Sequence, residues 1–326
     1  MIAEMIPSQF SRRQVLRAGS LLAATSAVSA MLPRTLLAMP QAAADDAVEK
    51  MKEQMSAIPL QTLKLRDNIL MLYGPGGNMV VLDGPEGKVL VDASFAKVAP
   101  KIKGVLDGMG GAPLRLLINT HWHFDHTDGN AEIHKMGAMI LAHENTRKRL
   151  STRQTMEFLK LTFAPAPPGA LPVQTFTDDM KLFMNAEEVS LSHVPPAHTD
   201  TDIHVHFRTS NVLHMGDTWF NGMYPFFDPS TRGNINGMIA AVSKGISTAD
   251  NSTKIVPGHG PAGDKPALTK HRDMLVAVRD RVKQQKTSGK KLEEVLAAKP
   301  TAEFDADFGK GFLTTDQFVT LVYQTL

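Results

Sequence analysis

The segment Asn119-Thr120-His121-Trp122-His123-Phe124-Asp125-His126 constrains this chain more than any other stretch. It directly follows Leu114–Ile118, a short and almost wholly apolar run of the kind carried by a strand buried on both faces. These side chains therefore belong to a loop at a strand's C-terminal end. Three imidazoles and one carboxylate between His121 and His126 cannot all serve packing. A tight turn aims them at a common point, where they stay unsatisfied unless a cation collects them.

Further loops offer the same donor types: His198 in Pro-Pro-Ala-His-Thr-Asp, Asp217 in Met-Gly-Asp-Thr and His259 in Pro-Gly-His-Gly-Pro. Asp217 and His259 each end a short apolar run beside glycine, which lets backbone approach a shared centre closely. The candidate metal ligands are thus His121, His123, Asp125, His126, His198, Asp217 and His259. The sequence contains no cysteine, which excludes disulfides, zinc ribbons, iron–sulfur clusters and thiol catalysis. No glycine-flanked serine elbow marks a Ser–His–Asp hydrolase.

The remaining sequence alternates strand and helix signals. Strands are expected at Ile69–Tyr73, Met79–Leu82, Lys88–Val91, Leu114–Ile118 and Met139–Ala142. A second set comes at Lys181–Met184, Val189–Ser192, Ile203–Phe207, Val212–Met215 and Lys254–Val256. Helical spacing covers Val98–Leu106, Ala131–Met136, Glu144–Leu161, Ile235–Ile246 and Leu268–Gln285. Two such halves predict an α/β fold of stacked sheets covered by helices, a four-layer αββα sandwich. The expected organisation is a leader over 1–44, a linker helix over 45–58, a catalytic domain over 59–265 and a short helical C-terminal extension over 266–326.

With these residues in place, the chain resembles the metallo-β-lactamase fold superfamily over roughly 60–262. The resemblance implies that His121, His123 and His198 hold one metal, that Asp125, His126 and His259 hold a second, and that Asp217 bridges them. Two zinc ions per chain suit five imidazoles and two carboxylates, while iron or manganese also accept such donors. The implied chemistry is hydrolysis of an acyl carbonyl by a hydroxide shared between the ions, with Asp125 as the catalytic residue that orients it and handles its proton.

Departures from the family's members narrow the expectation. Zinc β-lactamases of the best-known type carry cysteine where Asp217 stands and a lysine three residues later; here the latter position is Phe220. Gly216-Asp217-Thr218-Trp219-Phe220 is similar to the matching stretch of glyoxalase II thioesterases. Many acyl-homoserine-lactone lactonases have tyrosine where Phe220 stands. His123 argues against flavodiiron oxygen reductases, which use glutamate there. β-Lactamase activity is the leading specific expectation, followed by lactonase or thioesterase activity. The rivals of another class are a mono-iron persulfide dioxygenase and a non-catalytic metal-binding protein.

Other residues are weighed by position. Phe220, Asn221 and Tyr224, within the aromatic stretch after Asp217, are the candidate substrate pocket. Thr120 and Asp200 are expected to hydrogen-bond ligand histidines from behind, and His143 to hydrogen-bond near the site. His193 and His214 read as core or supporting histidines. His204 and His206 alternate along one strand and read as a partly solvated sheet face. Trp122 and Phe124 read as core packing.

Arg12 and Arg13 precede a mild apolar run from Ala18 to Leu32, a pattern resembling a twin-arginine export signal. A periplasmic or otherwise exported protein is expected, cut after small residues near Ala42 and Ala44, with no lasting membrane anchor and only transient contact with the export machinery. The net charge of +2 lives in that leader. Taking its four arginines and one glutamate from 35 basic and 33 acidic residues leaves 31 against 32. A nucleic-acid partner is therefore not expected, and the expected partner is a small-molecule acyl substrate.

Overall fold

The computed structural model describes residues 41–326. The expected leader lies outside the described residues except for its last four, which open helix α1 (Gln41–Ser56). A first sheet begins with the antiparallel meander β1 (Gln61–Arg66), β2 (Ile69–Tyr73), β3 (Met79–Leu82) and β4 (Lys88–Val91). It continues in parallel through β5 (Leu114–Ile118) and β6 (Met139–His143). The small hairpin β7 (Gln154–Met156) and β8 (Leu161–Phe163) comes next in the chain, and β9 (Gln174–Phe176) then closes the first sheet beside β6.

The second sheet runs in simple order through β10 (Asp179–Met184), β11 (Glu187–His193), β12 (Ile203–Phe207), β13 (Val212–His214) and β14 (Lys254–Val256). Only its last pair is parallel. Strand sequences match their surroundings. β3 and β4 are buried at every position, as their continuous apolar runs require, and lie inside the first sheet. At the edge strand β10, Asp179, Lys181 and Phe183 are exposed while Met180, Leu182 and Met184 turn toward the space between the sheets.

The helices are α2 (Ala99–Gly108), α3 (Phe124–Thr127), α4 (Asn130–Lys135), α5 (Glu144–Leu150), α6 (Ile235–Thr248), α7 (Lys265–Thr287), α8 (Leu292–Ala297), α9 (Asp305–Phe308) and α10 (Thr315–Thr325). Ile102, Leu106 and Ile133 of α2 and α4 pack on one outer face of the first sheet with Val81, Leu90 and Leu117. Val80, Val91 and Ile118 meet Val189, Val205 and Phe207 between the sheets. Met238, Leu275 and Phe318 of α6, α7 and α10 cover the outer face of the second sheet. The four layers are therefore helix, sheet, sheet, helix. Asn234 and Asp264 cap α6 and α7 by accepting from Gly237 N and Ala267 N.

The expected helix Glu144–Leu161 is corrected: α5 stops at Leu150, and the hairpin β7–β8 comes after it. Ala166 N donates to the carbonyl of Leu150, Thr155 and Thr162 pair across the hairpin at 3.1 Å, and Lys160 turns through a left-handed φ of 56°. Strands β1 and β9 were not expected. The parallel pairings position the site, because β4, β5, β13 and β14 all deliver their C-terminal loops to one edge of the sandwich.

Candidate metal centre

The segment after β5 turns at once into α3, so His121 and His123 precede that short helix while Asp125 and His126 lie within it. Asp217 occupies a 3-10 turn after β13, and His259 lies in the loop after β14. Two glycines permit this convergence. A Cβ on Gly258 would lie 1.8 Å from Asp217 Oδ1, and one on Gly77 would lie 2.1 Å from His126 Cε1.

The structure brings together all seven expected donors in two groups. His121, His123, His198 and Asp217 form one, and Asp125, His126 and His259 the other, with donor atoms inside each group within 4.8 Å of one another. Asp217 belongs to both by distance: its carboxylate oxygens lie 3.1 Å from His126 Nε2, 3.3 Å from His259 Nε2, 3.4 Å from His198 Nε2 and 3.9 Å from His121 Nε2. Asp125 Oδ2 is 3.1 Å from His259 Nε2.

The far nitrogens are occupied in a way that frees the near ones. His198 Nδ1 donates to the Phe226 carbonyl at 2.8 Å, and His126 Nδ1 donates to Asp92 Oδ2 at 2.8 Å. The inward Nε2 of His121 is buried without a hydrogen-bond partner, and His126 Nε2 and Asp217 Oδ1 face each other at 3.1 Å without hydrogen-bond geometry. His198 Nε2 lies 2.7 Å from His123 Nδ1. Orphaned buried donors are costly, and a divalent cation is the group that satisfies so many imidazoles and carboxylates at once. The donor set therefore fits divalent metal.

Electrostatics within the cluster divides along the same line. Burial, reinforced by His126, pushes His121 well below the ordinary histidine range, and burial with the nearby His123 pushes His198 to about 3. Burial also works against charge on His126 and His259, but the carboxylates around them win. Asp217 and Asp125 raise His126 well above its usual range and His259 to about 9. The same carboxylates resist their own burial, and the adjacent imidazoles hold Asp217 well below the usual carboxylate range and Asp125 below it. Two carboxylates facing neutral and cationic imidazoles form a bed on which incoming divalent cations would displace the imidazolium protons.

Of the expected supporting residues, Thr120 is in contact, its Oγ1 3.0 Å from His121 Nδ1. Asp200 is not: its carboxylate pairs with Arg149 at 2.6 Å. Asp202 does the supporting work instead, accepting from His198 N at 2.8 Å, with burial pushing its carboxyl up to about 7. His143 is also corrected. Its Nε2 meets the Thr177 carbonyl at 2.7 Å, its Nδ1 accepts from Asn145 N, and its ring stacks on His193 at 3.9 Å.

In the expected pocket, the Phe220 ring lies over His259 with centroids 5.2 Å apart. Asn221 instead holds the His259 loop, donating to the carbonyls of His259 and Pro261. Tyr224 turns away, buried on Phe318 with its hydroxyl 2.8 Å from Asp305. His204 is buried rather than partly solvated and meets Thr218 Oγ1 at 2.9 Å. Trp122 is buried, whereas Phe124 is half-buried and stacks on Phe163 at 4.9 Å.

Sequence reasoning missed Asp92, Asp202, Asn78 and Asp228. Asp92 Oδ1 and Oδ2 accept from Thr120 N and Thr120 Oγ1 as well as from His126. Asp228, fully buried, lies 3.6 Å from His123 Nε2. The one signal for Asp92 is its place at the end of the apolar strand β4, the same kind of place that marks Asp217.

Residues 72–280 match the Metallo-beta-lactamase superfamily. A probable metallo-hydrolase of Methanocaldococcus jannaschii is 25% identical over 202 residues, covering 60% of this chain and 94% of its own length. Among solved structures, a stereoselective inverting sec-alkylsulfatase from Pseudomonas sp. is similar with a TM-score of 0.64 at 14% identity. That match covers 81% of this chain and only 50% of the sulfatase, so the chain spans half of that protein's length. A metallo-beta-lactamase from Pontibacter korlensis is similar with a TM-score of 0.54 at 17% identity, over 67% of this chain and 99% of the other.

Proposed function

The chain belongs to the metallo-beta-lactamase superfamily and is a metal-dependent hydrolase, and from that premise we propose that it is a dinuclear zinc enzyme attacking an acyl carbonyl with water. The observation that carries the reading is the Asp217 carboxylate, which faces imidazoles of both donor groups at 3.1–3.9 Å. His121, His123 and His198 would hold one ion and Asp125, His126 and His259 the other. Two bound divalent ions would lower the pKa of water toward neutrality and polarise the scissile carbonyl.

The chain's own residues do the rest. Asp125 is an ionised carboxylate at the partly open side of the cluster, placed to orient the attacking water and take its proton. Asp217, 4% exposed, holds the two imidazole groups in register. Phe220 replaces a cationic anchor with a phenyl ring, which favours a lactone, thioester or other neutral ester over a β-lactam carboxylate. The similarity to an alkylsulfatase adds sulfate esters to the classes worth assaying. Arg12-Arg13 and the apolar run behind them support export to the periplasm as part of the same proposal.

The test is metal quantification on the purified chain joined to a chromogenic panel of β-lactam, lactone, thioester and sec-alkyl sulfate substrates. The expected result is two zinc ions per chain and turnover of at least one of the β-lactam, lactone and thioester classes, whereas hydrolysis of the sulfate ester alone would overturn the acyl reading. Asp125→Ala is expected to reduce that turnover about 100-fold or more. One iron per chain with oxygen uptake, and no hydrolysis, would defeat this reading.

A further inference from the structure

Thr199-Asp200-Thr201-Asp202 follows His198 directly and is buried along its whole length. Four buried polar side chains in a row need partners. Asp200 turns to Arg149, as described above. The other three find partners in one another and in the loop that carries His121 and His123. Trp122 N, the peptide nitrogen between those two histidines, donates to Thr201 Oγ1 at 3.1 Å. Thr201 Oγ1 lies 2.8 Å from Thr199 Oγ1, and Thr199 Oγ1 donates to Asp202 Oδ1 at 2.6 Å.

The direction of every bond in this row follows from its two ends. A backbone N–H can only donate, and a carboxylate can only accept. Thr199 spends its one proton on Asp202, so Thr201 must donate to Thr199 and turn a lone pair to Trp122 N. Thr199 Oγ1 also accepts from Thr201 N at 3.1 Å, which fills its remaining lone pair. At the far end Asp202 Oδ2 accepts from His198 N at 2.8 Å and from Thr199 N at 2.9 Å. The row therefore runs unbroken from the backbone of His198 to the backbone between His121 and His123. Beside it, Ile203 N donates to the Thr120 carbonyl at 2.9 Å.

We propose that Thr201, with Thr199 behind it, is a positioning residue whose hydroxyl sets the spacing between His198 and the His121–His123 loop, and with it the metal affinity of that donor group. The inference rests on the assignment of those three histidines as ligands of one ion. Valine at position 201 would fill the same space but could accept nothing. Trp122 N would then be left buried and unpaired, and the loop would have to shift to satisfy it.

Zinc affinities measured by chelator competition test this without requiring turnover. The measurement is made at pH 8, above the value of about 7 to which burial pushes Asp202. The His259→Ala background isolates the His121, His123 and His198 group, and the His121→Ala background isolates the other. Thr201→Val is expected to weaken zinc about 10- to 100-fold in the first background and by less than about threefold in the second. Thr201→Ser keeps the hydroxyl and is expected to stay within about threefold of its parent in both. Should Thr201→Val fail to fold, Thr199→Val, which removes the anchor of the Thr201 hydroxyl, is expected to give the same one-sided loss.

Unchanged affinity in the valine variants, equal weakening of both groups, or a serine variant as weak as the valine one overturns the assignment. A protein that shows the one-sided loss yet hydrolyses nothing in the substrate panel keeps the Thr201 assignment and loses the hydrolase reading.

Discussion

Asp92 Oδ2 lies 2.8 Å from His126 Nδ1, and Asp92 reaches it from a backbone in the left-handed region, φ 63°. The same carboxylate accepts from Thr120 N and Oγ1, so one buried acid orients both His126 and the threonine beside His121. Asparagine tolerates a left-handed backbone, which makes Asp92→Asn the informative variant. Its amide cannot replace both accepting oxygens, so His126 loses the fixed tautomer that points Nε2 inward. Metal retention at the His126 group is expected to weaken about 10- to 100-fold. Competition against a chelator measures it, and equal retention in variant and wild type would remove Asp92 from the site's support.

Gly258 and Gly104 should respond oppositely to alanine. A Cβ at Gly258 would lie 1.8 Å from Asp217 Oδ1 and 2.8 Å from its backbone nitrogen, so Asp217 must move out from between the two donor groups. Gly258→Ala is expected to cost about 100-fold or more in kcat/KM, as small misplacements at reacting centres do. Gly104 lies within α2 with nothing within 4 Å of its would-be Cβ. Gly104→Ala is expected to stabilise by about 0.5–1 kcal/mol with activity unchanged, readable by urea unfolding.

His271 links stability to pH away from the site. It is 1% exposed in α7, neither ring nitrogen has a hydrogen-bond partner, and burial pushes its pKa down to about 3. The folded state therefore refuses a proton that the unfolded chain accepts below about 6.5. Stability contributed by neutral His271 is complete above pH 6.5 and falls away as pH drops toward 3. His271→Leu removes two unpaired buried nitrogens and should already be more stable than wild type near pH 7. Going to pH 5 that margin should widen by up to about 2 kcal/mol, since each pH unit of such a mismatch is worth about 1.4 kcal/mol. Parallel urea midpoints at both pH values would count against this account.

Much of the layer order and all seven converging donors could be read from the sequence because their signals are local. Leu114–Ile118 is an apolar run, and the histidines stand immediately after it. Asp217 and His259 each stand three residues past a strand, β13 and β14. What escaped depends on distance in the chain. Asp92 is 34 residues from His126, and its role exists only because β4 and β5 lie side by side in parallel. Asp200 and Asp202 are both acids near His198, and local sequence does not say which one turns inward. Arg149, drawn from α5, captures Asp200 and leaves Asp202 to the His198 backbone. The helix expected through Leu161 failed for a similar reason, because the apolar spacing of Met156 and Leu161 also suits a hairpin closing over Trp122 and Phe226.

Asn78 shows how a residue outside the ligand cluster can fix the position of one of its members. Its side-chain amide donates to the carbonyls of Pro257 at 2.9 Å and Gly260 at 2.8 Å, and its backbone nitrogen donates to Gly258 at 2.7 Å. These groups bracket His259, so Asn78 clamps the loop that carries it. Asn78→Ala leaves two carbonyls unpaired in a setting where Asn78 is 4% exposed, a loss of about 1–3 kcal/mol. Asn78→Asp is expected to be worse, because a carboxylate facing two carbonyls repels them. Both variants should lose metal from the Asp125, His126 and His259 group before the other, giving close to one tightly held ion per chain at a chelator concentration where wild type keeps two. Uniform loss from both groups, or the aspartate variant outperforming the alanine one, would show that the clamp supports the fold as a whole and not the position of His259.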